Sequence, residues 1–152
     1  MSPVYAVDGE TDVAKWNYTP HKEEKLHGEI TQNVSANGFR LPTVEEWQYV
    51  ASGGQNYTYS GSNNLGEVGW YSGDKTHPVA QKKSNGYGLY DMSGNVWEWC
   101  WDVYPYSSRY RYRRGGSYSD YDDGCKVDHR GYDHASAQSH YLGFRIVCSS
   151  SN

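Results

Sequence analysis

The stretch Asn85–Trp99 reads Asn-Gly-Tyr-Gly-Leu-Tyr-Asp-Met-Ser-Gly-Asn-Val-Trp-Glu-Trp, and it decides the fold. Two turn signals, Asn85-Gly86 and Ser93-Gly94-Asn95, enclose a short aromatic and apolar run. The stretch leads directly into Val96–Trp101, where aromatic and β-branched side chains favour a strand. Tight turns next to indole-rich segments predict an irregular backbone that is held by side-chain hydrogen bonds and buried rings.

Working outward from this stretch, one upstream segment has the pattern of a helix. Thr43-Val44-Glu45-Glu46 is a capping box, in which the threonine hydroxyl and the second glutamate satisfy each other's backbone donors. Apolar residues follow at helical spacing until Gly53-Gly54, which predicts a helix over residues 44–52. Downstream, Tyr110–Tyr118 and Leu142–Cys148 are further candidate strands. These signals predict an α+β domain with short antiparallel strands, few helices and long irregular loops.

The bulk composition indicates one folded domain over residues 1–152. Mean hydropathy is -0.93, but charged residues are only 21% and the chain has 6 Trp and 16 Tyr, unlike disordered chains, which are poor in aromatics. A net charge of -4 gives no basis for a nucleic-acid partner. We find no run long enough to span a bilayer and no signal peptide at the start.

The chain has three cysteines, Cys100, Cys125 and Cys148. Three are few for a disulfide framework, and an odd number cannot all be paired. One bridge with a free thiol is possible. We favour three small buried hydrophobic residues.

Four ordered strings give a resemblance to a known family. They are residues 37–43 with Glu46-Trp47, then 85–99, Arg114-Gly115-Gly116-Ser117 and Gly143-Phe144-Arg145. In this order they resemble the formylglycine-generating-enzyme (sulfatase-modifying factor) family, from about Val4 to Cys148. The resemblance implies its C-type-lectin-like fold. The N-terminal part is shorter than in typical members.

The resemblance also implies a test for catalysis. Family enzymes oxidise a substrate cysteine with copper held by two cysteines, and the matching positions here are Asp120 and Cys125. A carboxylate with one thiolate is a poor Cu(I) site, so we expect no copper and no oxidase activity. A related branch holds iron with three histidines. Here His129, His134 and His140 lie in a stretch that we interpret as loop, at spacings that match no short metal motif, and we do not expect iron.

A structural calcium site is a further implication of the family. The matching donors are the side chains of Asp91 and Glu98 and the carbonyls of Gly94 and Val96, and such hard oxygen donors suit Ca²⁺. Without an ion, Asp91 would cap the turn and Glu98 would accept backbone bonds. A second family calcium site looks lost, because the matching region reads Val68-Gly69-Trp70.

Composition changes abruptly along the chain. Residues 1–95 contain eight Asn and residues 96–151 contain none, while residues 104–141 are rich in Tyr, Ser, Asp, His, Arg and Gly. This mixture is typical of adaptable binding surfaces. It is also similar to the variable proteins of diversity-generating retroelements, of the Treponema type, in which mutagenesis of adenines converts Asn codons into those residues. We therefore interpret residues 104–141 as a variable ligand-binding region.

The candidate contact residues all lie in that region. They are Tyr104, Tyr106, Tyr110, Tyr112, Tyr118, Asp120, Tyr121, Asp122, Asp128, His129, Tyr132, Asp133, His134, His140 and Tyr141. The alternative is that some of the tyrosines are core. Tyr112 and Tyr118 are the first candidates for packing inward, and the aspartates could be solubilising charge.

The sequence therefore predicts a non-catalytic binding protein whose target is a protein on another cell or host surface. We expect display on a cell surface or at a phage tail. The alternatives are an oxidase of the formylglycine-generating type, an inactive accessory subunit, or a carbohydrate-binding lectin. Calcium-dependent lectins of this fold use Glu-Pro-Asn or Gln-Pro-Asp, and neither string occurs here.

Overall fold

The computed structural model describes residues 1–16 and 28–149. They belong to two compact units, one built from Met1–Arg40 with Ile146–Asn152 and the other from Leu41–Arg145. A single domain over residues 1–152 stays a prediction, and its residues 17–27 and 150–152 lie outside the described residues.

The first unit consists of two small antiparallel ladders. Strand β1 (Tyr5–Val7) pairs with β2 (Ile30–Gln32), and β3 (Phe39–Arg40) pairs with β8 (Val147–Cys148). A single turn of 3₁₀ helix, Val13–Lys15, begins where the side chain of Asp12 accepts the backbone N–H of Ala14 at 3.0 Å.

The second unit contains the predicted helix. Helix α1 (Val44–Ser52) has the capping box in full: Thr43 accepts the N–H of Glu46 at 3.1 Å, and Glu46 accepts the N–H of Thr43 at 2.9 Å. Gly53, with φ of +61°, ends the helix in the left-handed region. A shorter helix, α2 (Leu65–Val68), follows and was not predicted.

A four-stranded sheet forms the rest of the second unit. Its strands are β4 (Trp97–Val103), β5 (Tyr110–Arg114), β6 (Arg130–His134) and β7 (Leu142–Phe144), in the order β6-β5-β4-β7. The β4–β5 and β5–β6 pairs are antiparallel, as predicted, whereas β4 and β7 are parallel. The loop that joins β4 to β5 and strand β6 both belong to residues 104–141.

Two predicted strands were too long, and four strands, β1, β2, β3 and β6, were not predicted. The strand predicted at Tyr110–Tyr118 ends at Arg114, because Gly115 and Gly116 have φ of +91° and +73° and turn the chain. The segment predicted as Leu142–Cys148 divides into β7 and β8, separated by residues 145–146. The loop interpretation of the histidine region was wrong for residues 130–134, which form β6.

The core of the second unit lies between α1 and the sheet. Its buried residues are Val44, Trp47, Ala51, Met92, Cys100 and Val127. A second cluster packs Tyr59, Leu65, Val68 and Cys125 together. In the part of the chain that the structure describes, no helix has the length and apolar character needed to cross a bilayer.

Candidate binding surface

Six of the predicted contact residues form one continuous aromatic cluster at an end of the sheet. In the register of β5 and β6, Tyr110 lies opposite His134 and Tyr112 lies opposite Tyr132. Residues directly opposite in an antiparallel pair share a face, so these four side chains line one face of the sheet. The loop after β4 adds Tyr104 and Tyr106. We call these six residues the tyrosine cluster.

Ring contacts link the cluster. Tyr104 stacks on Tyr132 with centroids 4.0 Å apart, and meets Tyr106 and Tyr112 edge-on at 5.5 and 5.7 Å. Tyr110 meets Tyr132 at 5.9 Å and His134 at 5.6 Å in the same edge-on manner. Such pairs add roughly 0.5–1.5 kcal/mol each beyond the area that they bury. The cluster is therefore a connected platform, unlike a set of scattered surface tyrosines.

The cluster is accessible at its edge and anchored at its base. Tyr106 is 85% exposed and Tyr132 is 48% exposed, whereas Tyr112 packs against the core beside α1. The backbone is fixed as well, because Tyr104 donates its N–H to Tyr110 at 2.9 Å. A hydrogen bond with Tyr132 raises the pKa of the Tyr104 phenol.

A second group of predicted residues surrounds the indole of Trp97. The ring of His129 lies 5.8 Å from it, and the guanidinium of Arg113 lies 4.5 Å above it. Arg113 also reaches Tyr141 at 5.9 Å and pairs with Asp133 at 3.7 Å. Trp97 itself is 4% exposed. His129 is exposed and Tyr141 and Asp133 are half-buried, so this group is partly framework.

Two predicted contact residues occupy framework positions. Tyr118 is 5% exposed, with His140 6.2 Å from its ring, so the inward-packing alternative applies to it. Asp120 is half-buried, and its Oδ2 accepts the indole N–H of Trp97 at 2.8 Å, the backbone N–H of Ser117 at 2.9 Å and the hydroxyl of Ser117. Three donors on one carboxylate oxygen hold the turn after β5 in place.

The remaining predicted residues are exposed and separate from the cluster. Tyr121 is 81% exposed, and Asp122 lies beside it in a single 3₁₀ turn, Asp122–Cys125. Asp128 lines an open polar cavity of about 600 Å³ with Lys126 and residues of α1. His140 is exposed beside Tyr141.

The cysteines divide into two buried thiols and one exposed thiol. Cys100 and Cys125 are buried, as the sequence predicts, and burial raises the pKa of the Cys125 thiol to about 12. The prediction was wrong for Cys148, which is exposed on the short strand β8 with its Sγ 3.3 Å from the carbonyl oxygen of Asn37. The three histidines considered as iron ligands contact different residues. His129 lies beside Trp97, His134 belongs to the tyrosine cluster, and His140 lies beside Tyr118.

The two carboxylates of the predicted calcium turn, Asp91 and Glu98, differ in how many hydrogen bonds they accept. Asp91, at φ of +58°, accepts the N–H of Ala80 through Oδ2 at 2.8 Å, while its Oδ1 is inaccessible to solvent and has no hydrogen-bond partner. Glu98 is 6% exposed and accepts the indole N–H of Trp47 at 2.7 Å and two N–H groups of Arg145 at 2.8 and 3.0 Å. Asp91 therefore keeps one carboxylate oxygen without a hydrogen-bond partner, whereas Glu98 forms an ion pair with Arg145.

The two acids share one cavity of about 460 Å³, which Val96 and Arg145 also line. Gly94 is required at the turn, because a Cβ there would lie 2.2 Å from the carbonyl oxygen of Trp70. Within residues 1–16 and 28–149, no cluster of three His, Cys, Asp or Glu side chains is arranged to hold a metal ion.

One cation beside the tyrosine cluster was not predicted from the sequence. Arg130 lies over the ring of Tyr112 at 5.6 Å. Strand alternation could have placed Arg130 beside Tyr132, but β6 was not predicted. Arg113 was not predicted as part of the site either, because its partner Trp97 lies on the neighbouring strand β4.

Comparisons with known proteins identify a matching family and several relatives. The family described as sulfatase-modifying factor enzyme 1-like domain matches residues 3–150. The chain is 36% identical over 176 residues to chaperone protein LppX of Paenibacillus barcinonensis, covering 98% of this chain and 62% of that protein. It is 38% identical over 134 residues to inactive C-alpha-formylglycine-generating enzyme 2 of Mus musculus, covering 74% of this chain and 44% of that protein.

A solved structure is similar over nearly the same range. Treponema denticola variable protein 1 superposes with a TM-score of 0.83 at 36% identity, covering 96% of this chain and 62% of that chain. The chain thus spans less than two thirds of the length of each of these relatives.

Proposed function

The chain belongs to the sulfatase-modifying factor family and has its C-type-lectin-like fold, and we propose that this domain is a non-catalytic binding module that recognises another macromolecule through its tyrosine cluster. The observation that supports this most is the connected ring platform, which extends from the core-packed Tyr112 to the exposed Tyr106. Tyrosine gives a large contact area with few rotatable bonds, and a platform fixed in advance lowers the entropy cost of binding.

Loss of catalysis is part of the proposal. Copper chemistry needs two thiolates, and only Cys125 stands at the matching positions. Its thiol is buried with a raised pKa, which disfavours the thiolate that a metal requires. Asp120, at the other position, is committed to Trp97 and Ser117. Similarity to an inactive paralogue and to a variable protein is consistent with a domain that binds without reacting.

We further propose that residues 104–141 are diversified by a retroelement. The region lacks Asn altogether, and its exposed members are mostly Tyr, Ser, Asp and His. The target would be a protein on another cell or host surface, with the module displayed on a cell surface or at a phage tail. A near-copy of the 104–145 coding sequence, carrying adenines at the differing positions beside a reverse transcriptase gene, would support this. A genome without such a copy would contradict it.

The binding role is tested with two matched libraries displayed on yeast. One library randomises Tyr106, Tyr132 and His134, and the control library randomises Tyr49, Tyr71 and Tyr87. The control tyrosines are 66%, 39% and 48% exposed but lie outside residues 104–141. Both are selected against lysozyme, ovalbumin and serum albumin. We expect specific binders from the cluster library only, and equal enrichment from both would contradict the proposal.

The enzymatic alternative has its own assay. Purified protein is loaded with Cu(I) and incubated with a cysteine-containing sulfatase-type peptide, and aldehyde is detected with an aminooxy reagent. We expect no aldehyde above the peptide alone. Turnover that disappears in a Cys125→Ser variant would contradict the non-catalytic proposal.

A structural calcium ion at Asp91 is a separate proposal. Its donors would be Oδ1 of Asp91, the carbonyls of Gly94 and Val96, and a remaining lone pair of Glu98. The buried, unpartnered Oδ1 of Asp91 is the observation that favours it. The ion would stabilise the turn before β4 and take no part in recognition.

A further inference from the structure

An open polar cavity lies between the second half of α1, the segment that follows it and the residues after the 3₁₀ turn Asp122–Cys125. Its volume of about 600 Å³ is in the range of sites that hold small organic ligands. Three of its lining side chains are amides, three carry hydroxyls and two are charged, whereas Val127 is the aliphatic one. None of the lining residues belongs to the tyrosine cluster, so the polar cavity is a separate feature of the molecule.

The walls of the polar cavity are held together by hydrogen bonds. The carbonyl of Thr58 accepts the N–H of Val127 at 3.0 Å, which joins two of the lining segments. Arg114 is 0% exposed and donates to the side-chain oxygen of Gln48 on α1 and, at 2.9 Å, to the carbonyl of Asp128. The cavity therefore exists before any ligand enters it, and such preorganisation lowers the entropy cost of binding.

These bonds leave donors and acceptors in the cavity on different side chains. The oxygen of Gln48 is occupied by Arg114, and the oxygen of Gln55 accepts the N–H of Gly86 at 3.1 Å. Each glutamine therefore keeps its amide NH₂ group as a donor. The carboxylate of Asp128 forms no hydrogen bond or ion pair with any residue that the structure describes, so it stays an acceptor.

The two charged lining side chains give the cavity no large excess of either sign. Nζ of Lys126 pairs with Asp123 at 2.5 Å. Burial lowers the pKa of Arg114 behind the cavity wall, and the negative charge of Asp128 is among the charges that oppose this lowering. The positive charge of Arg114 and the negative charge of Asp128 are thus close to each other. A neutral, hydrogen-bonding ligand fits this balance better than an ion does.

From this arrangement we infer that the polar cavity is a second binding site, which takes a neutral carbohydrate. A hydroxyl both donates and accepts, so neighbouring sugar hydroxyls can accept from the two glutamine amides and donate to Asp128. Tyr57 lines the cavity and is 43% exposed, which leaves its ring available to the C–H face of a sugar. A peptide would need apolar contacts for its side chains, and Val127 is only 8% exposed.

This site differs from the sugar site of calcium-dependent lectins of the same fold. Its polar groups are amides, hydroxyls and one carboxylate, and none of the lining residues belongs to the predicted calcium turn. Sugar binding here is therefore independent of calcium. It is also independent of the tyrosine cluster, so the inference does not rest on the proposed function.

The test titrates the full chain with maltotriose, cellotriose, mannotriose and chitotriose in buffer that contains EDTA, and saturation-transfer NMR follows binding. We expect at least one of the four sugars to bind. Asp128→Ala should weaken that sugar about tenfold, as loss of a hydrogen bond to a charged group does, and Tyr57→Ser about fivefold. Asp74→Ala and Tyr71→Ser are the matched controls, because both residues are exposed outside the cavity, and they should leave the affinity unchanged.

Four results would overturn the inference. None of the four sugars binds, or a sugar binds equally well to Asp128→Ala and Tyr57→Ser and so occupies another place. Binding that appears only when calcium replaces EDTA would assign the sugar to a metal site. Acetyl-triglycine amide that binds through Asp128, where the sugars do not, would assign the cavity to a peptide backbone. Asp128 and Tyr57 are both exposed, so neither substitution removes a core side chain, and melting curves check that each variant is folded. If one variant fails to fold, the other decides by comparison with its own control.

Discussion

Replacing Asp120 by Ala tests whether this residue belongs to the framework or to the contact surface. Its Oδ2 accepts the indole N–H of Trp97 at 2.8 Å and the backbone N–H of Ser117 at 2.9 Å. Both donors belong to buried residues, since Trp97 is 4% exposed and Ser117 is 0% exposed. In Asp120→Ala, both N–H groups lose their acceptor.

The expected loss in the free energy of unfolding follows from these two unsatisfied donors. A buried donor left unsatisfied costs about 1–3 kcal/mol. Asp120 is half-buried, so a water molecule can enter and recover part of the loss. We therefore expect the free energy of unfolding to fall by about 3 kcal/mol in total. For a chain of 152 residues this corresponds to a fall of about 6–12 °C in the melting temperature.

Urea unfolding followed by tryptophan fluorescence measures the change, because Trp97 is itself one of the donors. Asp120→Asn keeps one oxygen acceptor and should lose about half as much. Asp122→Ala is the matched control, because Asp122 lies two residues away and is exposed, and its loss should change stability by less than about 0.5 kcal/mol. If Asp120→Ala unfolded at the same urea concentration as the wild type, Asp120 would be a contact position and would not stabilise the framework.

Three further outcomes are expected. Cys148 should react with iodoacetamide in the native protein at pH 8, and Cys125, with a thiol pKa of about 12, only after unfolding; intact mass spectrometry that finds Cys125 labelled first would contradict its burial. Arg145→Met should lower the free energy of unfolding by about 3 kcal/mol in calcium-free buffer, because the buried Glu98 loses its ion pair, and a urea titration showing under about 1 kcal/mol would refute this. Calcium at a hundredfold excess over its Kd should raise the wild-type melting temperature by about 5–10 °C and have little effect on Asp91→Asn, which keeps the left-handed backbone; equal shifts would place the ion elsewhere.

Local signals in the sequence determined several features correctly. The capping box and Gly53 fixed both ends of α1, because a helix terminus depends on donors and acceptors within four residues. The ordered strings identified the family and its fold, and the composition of residues 104–141 identified the region that contains the tyrosine cluster.

Only the tertiary structure decided which residues of that region meet. Strand β6 is short and rich in Gly, Asp and His, so its existence depends on pairing with β5, and that pairing is what brings Tyr132 against Tyr104. The sequence left Tyr118 as either a contact residue or a core residue, and only the packing after the turn at Gly115-Gly116 shows that it is buried. A sequence fixes the residue types and the local turns, whereas strand register fixes faces and neighbours. Register is set by contacts between residues far apart in the chain, and a single shift would exchange the tyrosine face for the face that contains Asp133.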